Sequence, residues 1–118
     1  MNIEEYRDYC IAKPGVTEHF PFNPSTLVFK VMGKMFALAD VEEFISINLK
    51  CDPERAVELR ETHSDTVLPG YHMNKHHWNT VVVEGSLNDA QLKELIDHSY
   101  ELIVASLPKR LKEELSLL

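Results

Sequence analysis

The chain has 118 residues, 44% of them hydrophobic and 26% charged, and its formal net charge is −7. These values are typical of one globular domain that buries its own core, so we expect a single domain over residues 1–118. No stretch approaches the roughly 20 apolar residues of a membrane-spanning helix, and the acidic first residues do not match a signal peptide, so a cytoplasmic protein is expected.

The first part of the chain predicts a helix and then a loop. Asn2, with Glu5 three residues later, has the capping-box pattern of a helix start, and the Pro-Gly pair at 14–15 predicts the end of that helix. In the segment GVTEHFPFNPST, prolines fix bends in the chain. We expect a loop there, with Phe20 and Phe22 anchoring it to the core.

Three strands are predicted next. Residues 26–32 and 35–39 are rich in β-forming side chains, and Gly33-Lys34 between them suits a type II′ hairpin turn. Residues 44–50 alternate between apolar and polar side chains, which is typical of a half-buried strand. The same alternation places Lys30 and Lys50 on the outer face of the sheet.

A second helix and a further strand follow. Asp52-Pro53-Glu54 combines an N-cap, a first-position proline and a first-turn acid, and the helix is expected to run to about His63. Pro69-Gly70 predicts a turn, and residues 78–84 predict a strand.

The C-terminal part predicts a long buried helix that begins after Asn88 or Asp89. The stripe expected to be buried consists of Leu92, Leu95, Ile96, Ser99 and Ile103. Beyond Pro108, leucines recur at helical spacing, so the tail either docks on the domain or presents an apolar face to a partner.

This order of elements predicts an α+β fold. We expect a single compact domain in which an antiparallel sheet of four to five strands packs against N- and C-terminal helices. The other face of that sheet is left to solvent or to a ligand.

The segment YHMNKHHWNTV, residues 71–81, concentrates polar and aromatic chemistry. His72 and His76 stand four residues apart, a spacing that chelates metal on a helix, but the turn before them and the β-rich run after them argue against a helix. Cys10 and Cys51 match no metal-ligand spacing and are expected to be reduced core residues. We therefore expect neither a metal nor another cofactor.

A catalytic role for these histidines lacks the other parts of a site. The chain has no GxSxG, HExxH or phosphate-loop pattern that would supply a nucleophile, a metal or a phosphate cradle. We expect that the protein is not an enzyme.

The same segment suits nucleic acid, because it combines cationic, stacking and hydrogen-bonding side chains. An acidic protein binds DNA only if its positive charge is gathered on one face. Arginine, the commonest reader of bases, is absent from these elements. The structural alternative is that Trp78 covers an edge of the core, Asn79 and Thr80 satisfy backbone groups, and the histidines cap or pair with acids.

Four blocks of the sequence resemble the MmcQ/YjbR family of small bacterial proteins: PGVTEHFPFNPSTLVFKVMGKMFAL, KCDPERAVELRE, PGYHMNKHHWNTV and LIDHSYELIVASL. The resemblance runs from about Pro14 to Leu107. It implies a fold similar to the frataxin-like CyaY fold and a DNA-binding role through two wings. In this chain the first wing is the hairpin around Gly33-Lys34, and the second is the segment from His72 to Thr80.

The leading hypothesis is therefore a monomer that binds DNA weakly and in a salt-sensitive manner. Its predicted contact residues are Lys30, Lys34, Lys50, His72, Lys75, His76, His77, Trp78 and Asn79. The alternative is a protein- or small-ligand-binding module that uses the aromatic loop of Phe20, Phe22, Tyr71 and Trp78, or the leucine-bearing tail. A continuous positive face would favour DNA, and a mixed surface with an apolar groove would favour the alternative.

Overall fold

The computed structural model describes residues 1–71 and 73–118. Within them the elements are α1 (Ile3–Ile11), β1 (Val16–His19), β2 (Thr26–Val31), β3 (Lys34–Asp40), β4 (Ser46–Lys50), α2 (Pro53–Thr62), β5 (Val67–Pro69), β6 (Trp78–Val82), α3 (Asp89–Ser106) and α4 (Lys109–Ser116). One antiparallel sheet has the order β1-β2-β3-β4-β6-β5. The predicted α+β architecture is confirmed, with six strands in place of four to five.

Two of the six strands were not assigned from the sequence: the short β5, just before the predicted Pro69-Gly70 turn, and β1, in the segment predicted to be a loop. Its four residues pair with β2 from Val16 opposite Val31 to His19 opposite Val28, at the edge of the sheet. The chain then leaves the edge and does not return under the helices. Phe20 and Phe22 are 49% and 66% exposed, so the prediction that they anchor the loop to the core is wrong.

The hairpin turn lies one residue earlier than predicted. Val31 pairs with Lys34, so the two turn residues are Met32 and Gly33, with φ of 49° and 85°. Positive φ at both positions indicates a type I′ turn, whose twist matches that of the flanking strands, and not the predicted type II′.

Strand β3 contains a bulge. Phe29 pairs with Ala37 and Lys30 with Met35, which leaves Phe36 as an extra residue. Phe36 is fully buried, with its ring 6.5 Å from that of Phe29. The bulge thus adds an aromatic side chain to the core.

Strand β4 is shorter than the alternating pattern predicts. Phe44 has a φ of 49°, which interrupts the extended chain, and Ile45 is 60% exposed. Ile47 and Leu49 are buried as expected.

The helices follow their local signals closely. Asn2 and Asn88 each accept a hydrogen bond from the third residue of their helix in complete capping boxes, and Asp52 caps α2. All five residues of the predicted stripe on α3 are buried. In α4 Leu115 is buried, so the tail docks on the domain.

The sheet has two unlike faces. The covered face lies under α1 and α3; one of its cross-strand rows is Leu27, Ala39, Ile47, Val81 and Val67, all buried. The open face carries the alternate side chains; its central row is His19, Val28, Leu38, Asn48, Thr80 and Leu68. The helices are all packed on one side, which leaves the open face for a site.

Candidate functional site

A small apolar cluster separates two regions of the open face. Val28, Leu38 and Trp78 form it, with Met35 and Met73 packed at its sides. Trp78 is only 9% exposed. Its indole therefore braces the loop of residues 70–77 against the sheet and is not available for stacking on a nucleic-acid base.

Asn74 organises this loop. Its side-chain oxygen accepts a hydrogen bond from the His76 backbone N–H at 2.9 Å, and its carbonyl accepts from the Trp78 N–H at 2.9 Å. At the start of the loop, a Cβ on Gly70 would lie 2.8 Å from the Trp78 carbonyl oxygen, so only glycine fits there. The loop is thus fixed at both ends.

A chain of hydrogen bonds ties the loop to the open face. The Tyr71 backbone N–H donates to Thr80 Oγ1 at 2.9 Å, and Thr80 Oγ1 donates to Asn48 Oδ1 at 2.5 Å. The Thr80 hydroxyl thus accepts from Tyr71 with one lone pair and donates its single proton to Asn48. The Asn48 carboxamide is therefore oriented with its oxygen towards Thr80, and its NH₂ group keeps donor capacity for a ligand.

Next to this network the open face forms a groove of about 520 Å³. Its walls are the segment after β1 and the start of the 70–77 loop, and its floor is the end of β3 and the first half of β4. The lining residues are Phe22, Asn23, Thr26, Leu38, Ala39, Asp40, Ser46, Asn48, Tyr71 and Met73. Tyr71, at 70% exposure, and Phe22 give the groove aromatic walls.

Asp40 brings negative charge to one end of the groove. Its two carboxylate oxygens accept hydrogen bonds from the backbone N–H groups of Glu42 at 3.2 Å and Glu43 at 3.4 Å. None of the described lining residues is basic, and no ion pair to Asp40 occurs in residues 1–71 and 73–118. As far as residues 1–71 and 73–118 line it, the groove is therefore apolar and aromatic, with a carboxylate that none of them compensates.

The predicted lysines lie at the opposite end of the sheet. The register places Lys30 opposite Met35 and Lys50 opposite Trp78, so the end of β2, the start of β3 and the end of β4 share one edge with the 70–77 loop. Lys34, the first residue of β3, lies at the same end of the sheet, but it pairs with Val31 of the covered face, so its side chain points away from the open face. Lys75 is exposed in the loop. In the described part of the chain none of these four lysines forms an ion pair.

The histidines have a mixed environment. His76 and His77 are exposed, with their rings 5.1 Å apart and nearly perpendicular. His76 lines a shallow depression with Glu54 and Glu58 of α2, so acidic side chains border this part of the predicted positive surface. The predicted contact His72 lies outside the described residues.

Asn79 requires a correction. It pairs with Leu49 in a row of the covered face and is 2% exposed, so it cannot contact DNA on the open face. Side chains alternate along a strand, and Trp78 and Asn79 therefore point to opposite faces. With Trp78 packed in its cluster, the described DNA contacts that are fully exposed reduce to Lys34, Lys75, His76 and His77, and Lys30 and Lys50 are half-buried.

The described residues offer little for metal or thiol chemistry. Among them no group of three or more His, Cys, Asp or Glu side chains has metal-binding geometry. Burial raises the pKa of the Cys10 thiol to about 12 and that of Cys51 to about 11, so both are protonated near neutral pH.

The sequence did not point to the groove. The alternation in β4 places Asn48 on the outer face, and Phe22 and Tyr71 were already candidates for ligand contact. No local signal, however, joined them to Asp40, because the groove forms where four separated segments meet.

Four comparisons with known proteins agree with this fold. A family model described as YjbR matches residues 11–102. The YjbR protein of Escherichia coli K12 is 42% identical over 110 residues, 92% of each chain. The YbdF protein of Escherichia coli O157:H7 is 40% identical over 108 residues, which cover 91% of this chain and 88% of that protein. A crystal structure of a Deinococcus radiodurans protein has a TM-score of 0.91 and 39% identity, covering 98% of this chain and 88% of that one.

In the described part of the chain, no helix is both long and apolar enough to cross a membrane.

Proposed function

The chain belongs to the YjbR family, and from its open sheet face we propose that it is a cytoplasmic, monomeric, non-enzymatic module that binds a small ligand in the groove between Phe22 and Tyr71. The observation that carries the proposal is the groove itself. Its volume of about 520 Å³ is in the range of small-molecule sites, and its apolar lining with a few convergent polar groups is typical of them.

The walls of the groove support this role. Exposed apolar side chains that gather in one patch mark binding sites, and Phe22 and Tyr71 are both exposed and line the same groove. The 70–77 loop is held by the Asn74 turn and the Thr80 hydroxyl, so a ligand meets a preformed wall.

Trp78 allows a direct test. It is the single tryptophan of the chain and packs against Leu38 and Met73, two residues that line the groove. We expect compounds from a library of small aromatic and aliphatic fragments to change Trp78 fluorescence and to raise the unfolding temperature.

The control for this screen is a matched pair of substitutions. Ser46→Phe fills the groove, whereas Ser64→Phe adds the same ring at an exposed position in the turn after α2. Fragments that bind the groove lose their effect with Ser46→Phe and keep it with Ser64→Phe. Retention of every hit by a folded Ser46→Phe protein would place the binding elsewhere, and no hits at all would refute the proposal.

DNA binding is the second candidate, and one observation favours it. Lys30 and Lys50 on the open face, together with Lys34 and Lys75 at the same end of the sheet, form no ion pairs in the described chain. Few phosphates can be neutralised by four lysines on a chain of net charge −7, so the affinity is expected to be weak and to fall steeply with salt.

A fluorescence-anisotropy titration with a short random duplex, at low and near-physiological salt, tests this candidate. The double variant Lys34→Glu with Lys75→Glu should abolish binding. The control variant, Lys93→Glu with Lys112→Glu, makes the same change in net charge at exposed positions of α3 and α4. It should retain most of the DNA binding. Equal losses in both doubles, or no binding at low salt, would refute DNA binding at this surface.

A further inference from the structure

We infer that the groove selects ligands that carry a cationic amine and a hydrogen-bond acceptor on an apolar or aromatic body. This inference rests on the proposed ligand-binding function and names the chemical class of the ligand. It follows from the placement of Asp40, Asn48 and the aromatic walls in one groove.

The charge of the groove determines the sign of the ligand. A carboxylate accepts about four hydrogen bonds, and Asp40 receives two from the backbone N–H groups of Glu42 and Glu43. Its charge has no basic neighbour among the described lining residues, and both adjacent glutamates are exposed. An anionic ligand would therefore meet repulsion at this end of the groove, whereas an ammonium group would form a charge-assisted hydrogen bond.

The floor of the groove supplies the complementary donor. Because Thr80 fixes the Asn48 oxygen, the Asn48 NH₂ group is the part of the carboxamide left for a ligand, and it pairs with a carbonyl or hydroxyl oxygen. Ala39 pairs with Ile47, so Asp40 adjoins Ser46, two residues before Asn48 on β4. Two strand residues span roughly 7 Å, so the Asp40 and Asn48 side chains flank a space in which the amine and the acceptor of one small ligand both fit.

The side chains that line the groove determine the apolar or aromatic body of the ligand. Leu38 and Met73 offer an apolar floor and side, and Phe22 and Tyr71 offer aromatic rings beside it. Aromatic faces attract cations as well as apolar groups, so the same walls that bury a ring or alkyl body also favour an adjacent ammonium group.

Three probes that share a phenyl ring separate these contributions. L-phenylalaninamide has an ammonium group and a carbonyl, 3-phenylpropanamide lacks the ammonium group, and 3-phenylpropanoate is an anion. Titrated at low salt and followed by Trp78 fluorescence, L-phenylalaninamide should bind about tenfold more tightly than 3-phenylpropanamide, and 3-phenylpropanoate should bind most weakly. Raising the salt concentration should weaken the binding of L-phenylalaninamide and leave the binding of 3-phenylpropanamide nearly unchanged.

A matched pair of variants assigns the effect to Asp40. Asp40→Asn removes the charge and keeps an acceptor oxygen for the turn, whereas Glu42→Gln makes the same charge change two residues away, outside the groove lining. We expect about a tenfold loss of L-phenylalaninamide binding with Asp40→Asn and less than a twofold loss with Glu42→Gln. If Asp40→Asn fails to fold, the salt dependence of the unaltered protein decides the question.

If L-phenylalaninamide and 3-phenylpropanamide bind equally tightly and neither depends on salt, the preference for an amine is refuted. Ligand binding in the groove would not be refuted by that result. Stronger binding of 3-phenylpropanoate would overturn it as well. A failure of the proposed function gives a different result. In that case no fragment of the library binds, or every fragment that binds the unaltered protein binds the Ser46→Phe variant equally well.

Discussion

The covered and open faces of the sheet are built from the same strands and differ in almost every physical property. On the covered face, Phe29, Phe36 and Ile47 are fully buried under helices. Around that core, basic side chains such as Arg7 and Arg55 pair with acids at 2.8 and 2.6 Å. The open face has only a small apolar cluster, a groove and lysines without ion pairs in the described chain. The difference indicates that one face holds the fold together and that the other is available for binding.

Phenylalanine truncation on each face gives the largest expected contrast. Phe36→Ala removes a fully buried ring that packs 5.5 Å from Tyr100 and should cost about 3–5 kcal/mol in free energy of unfolding. Phe22→Ala makes the same chemical change at an exposed ring and should stay within about 0.5 kcal/mol. Urea unfolding monitored by circular dichroism measures both values. A large cost for Phe22→Ala would show that its segment belongs to the core after all.

Two hydroxyls with similar bonding sharpen the contrast. Ser99 Oγ accepts from the Lys50 N–H at 2.9 Å and donates to the Phe36 carbonyl at 2.5 Å on the covered face, where Ser99 is fully buried. Ser99→Ala should therefore cost about 1–3 kcal/mol, because it leaves a buried donor and acceptor unpaired.

The matched change on the open face is Thr80→Val, which keeps the shape and removes the hydroxyl that links Tyr71 to Asn48. We expect a smaller cost, about 1 kcal/mol or less, because Thr80 keeps 8% exposure and its partner Asn48 is half-buried, whereas Ser99 is fully buried. The same variant should weaken groove ligands that pair with Asn48, since it frees the carboxamide to turn. Equal destabilisation by the two substitutions in urea titrations would mean that solvent does not reach the Thr80 site.

Alkaline pH should weaken the covered face through its two thiols. Burial raises the pKa of Cys10 to about 12 and of Cys51 to about 11, from 9.0 in the unfolded chain. The folded state thus favours the neutral thiols over the thiolates. The stability that the two thiols contribute is fully present below pH 9 and is lost as the pH rises through 11 and 12. The urea midpoint should fall steadily from pH 9 to pH 11, and less steeply in Cys51→Ala.

Thiol reactivity provides an independent check on the same groups. Near pH 8 both cysteines should react with a disulfide reagent far more slowly in the folded protein than in urea, because both are buried and protonated. Rapid reaction of either thiol in the folded protein would contradict the burial that raises its pKa.

Local signals in the sequence were enough to place the helices. Asn2 with Glu5 and Asp52 with Pro53 act on backbone groups within four residues, so the sequence contains every partner of these caps. The buried stripe of α3 follows from helical periodicity alone. Strand β1 had no comparable signal, because four residues form a strand only when the edge of β2 offers hydrogen bonds to pair with.

The candidate site depended on contacts that no local pattern contains. Alternation placed Lys30, Lys50 and Asn48 on the outer face, but only the order of the strands gathered the lysines at one end and Asp40 with Asn48 at the other. Asn79 was taken for a surface residue, and the pairing with Leu49 places it inside. The sequence by itself determined the helices, the hairpin and the side-chain alternation, since these depend on neighbours along the chain. The tertiary structure decided which face the helices cover and where the groove forms, since these depend on residues that meet only when distant strands pair.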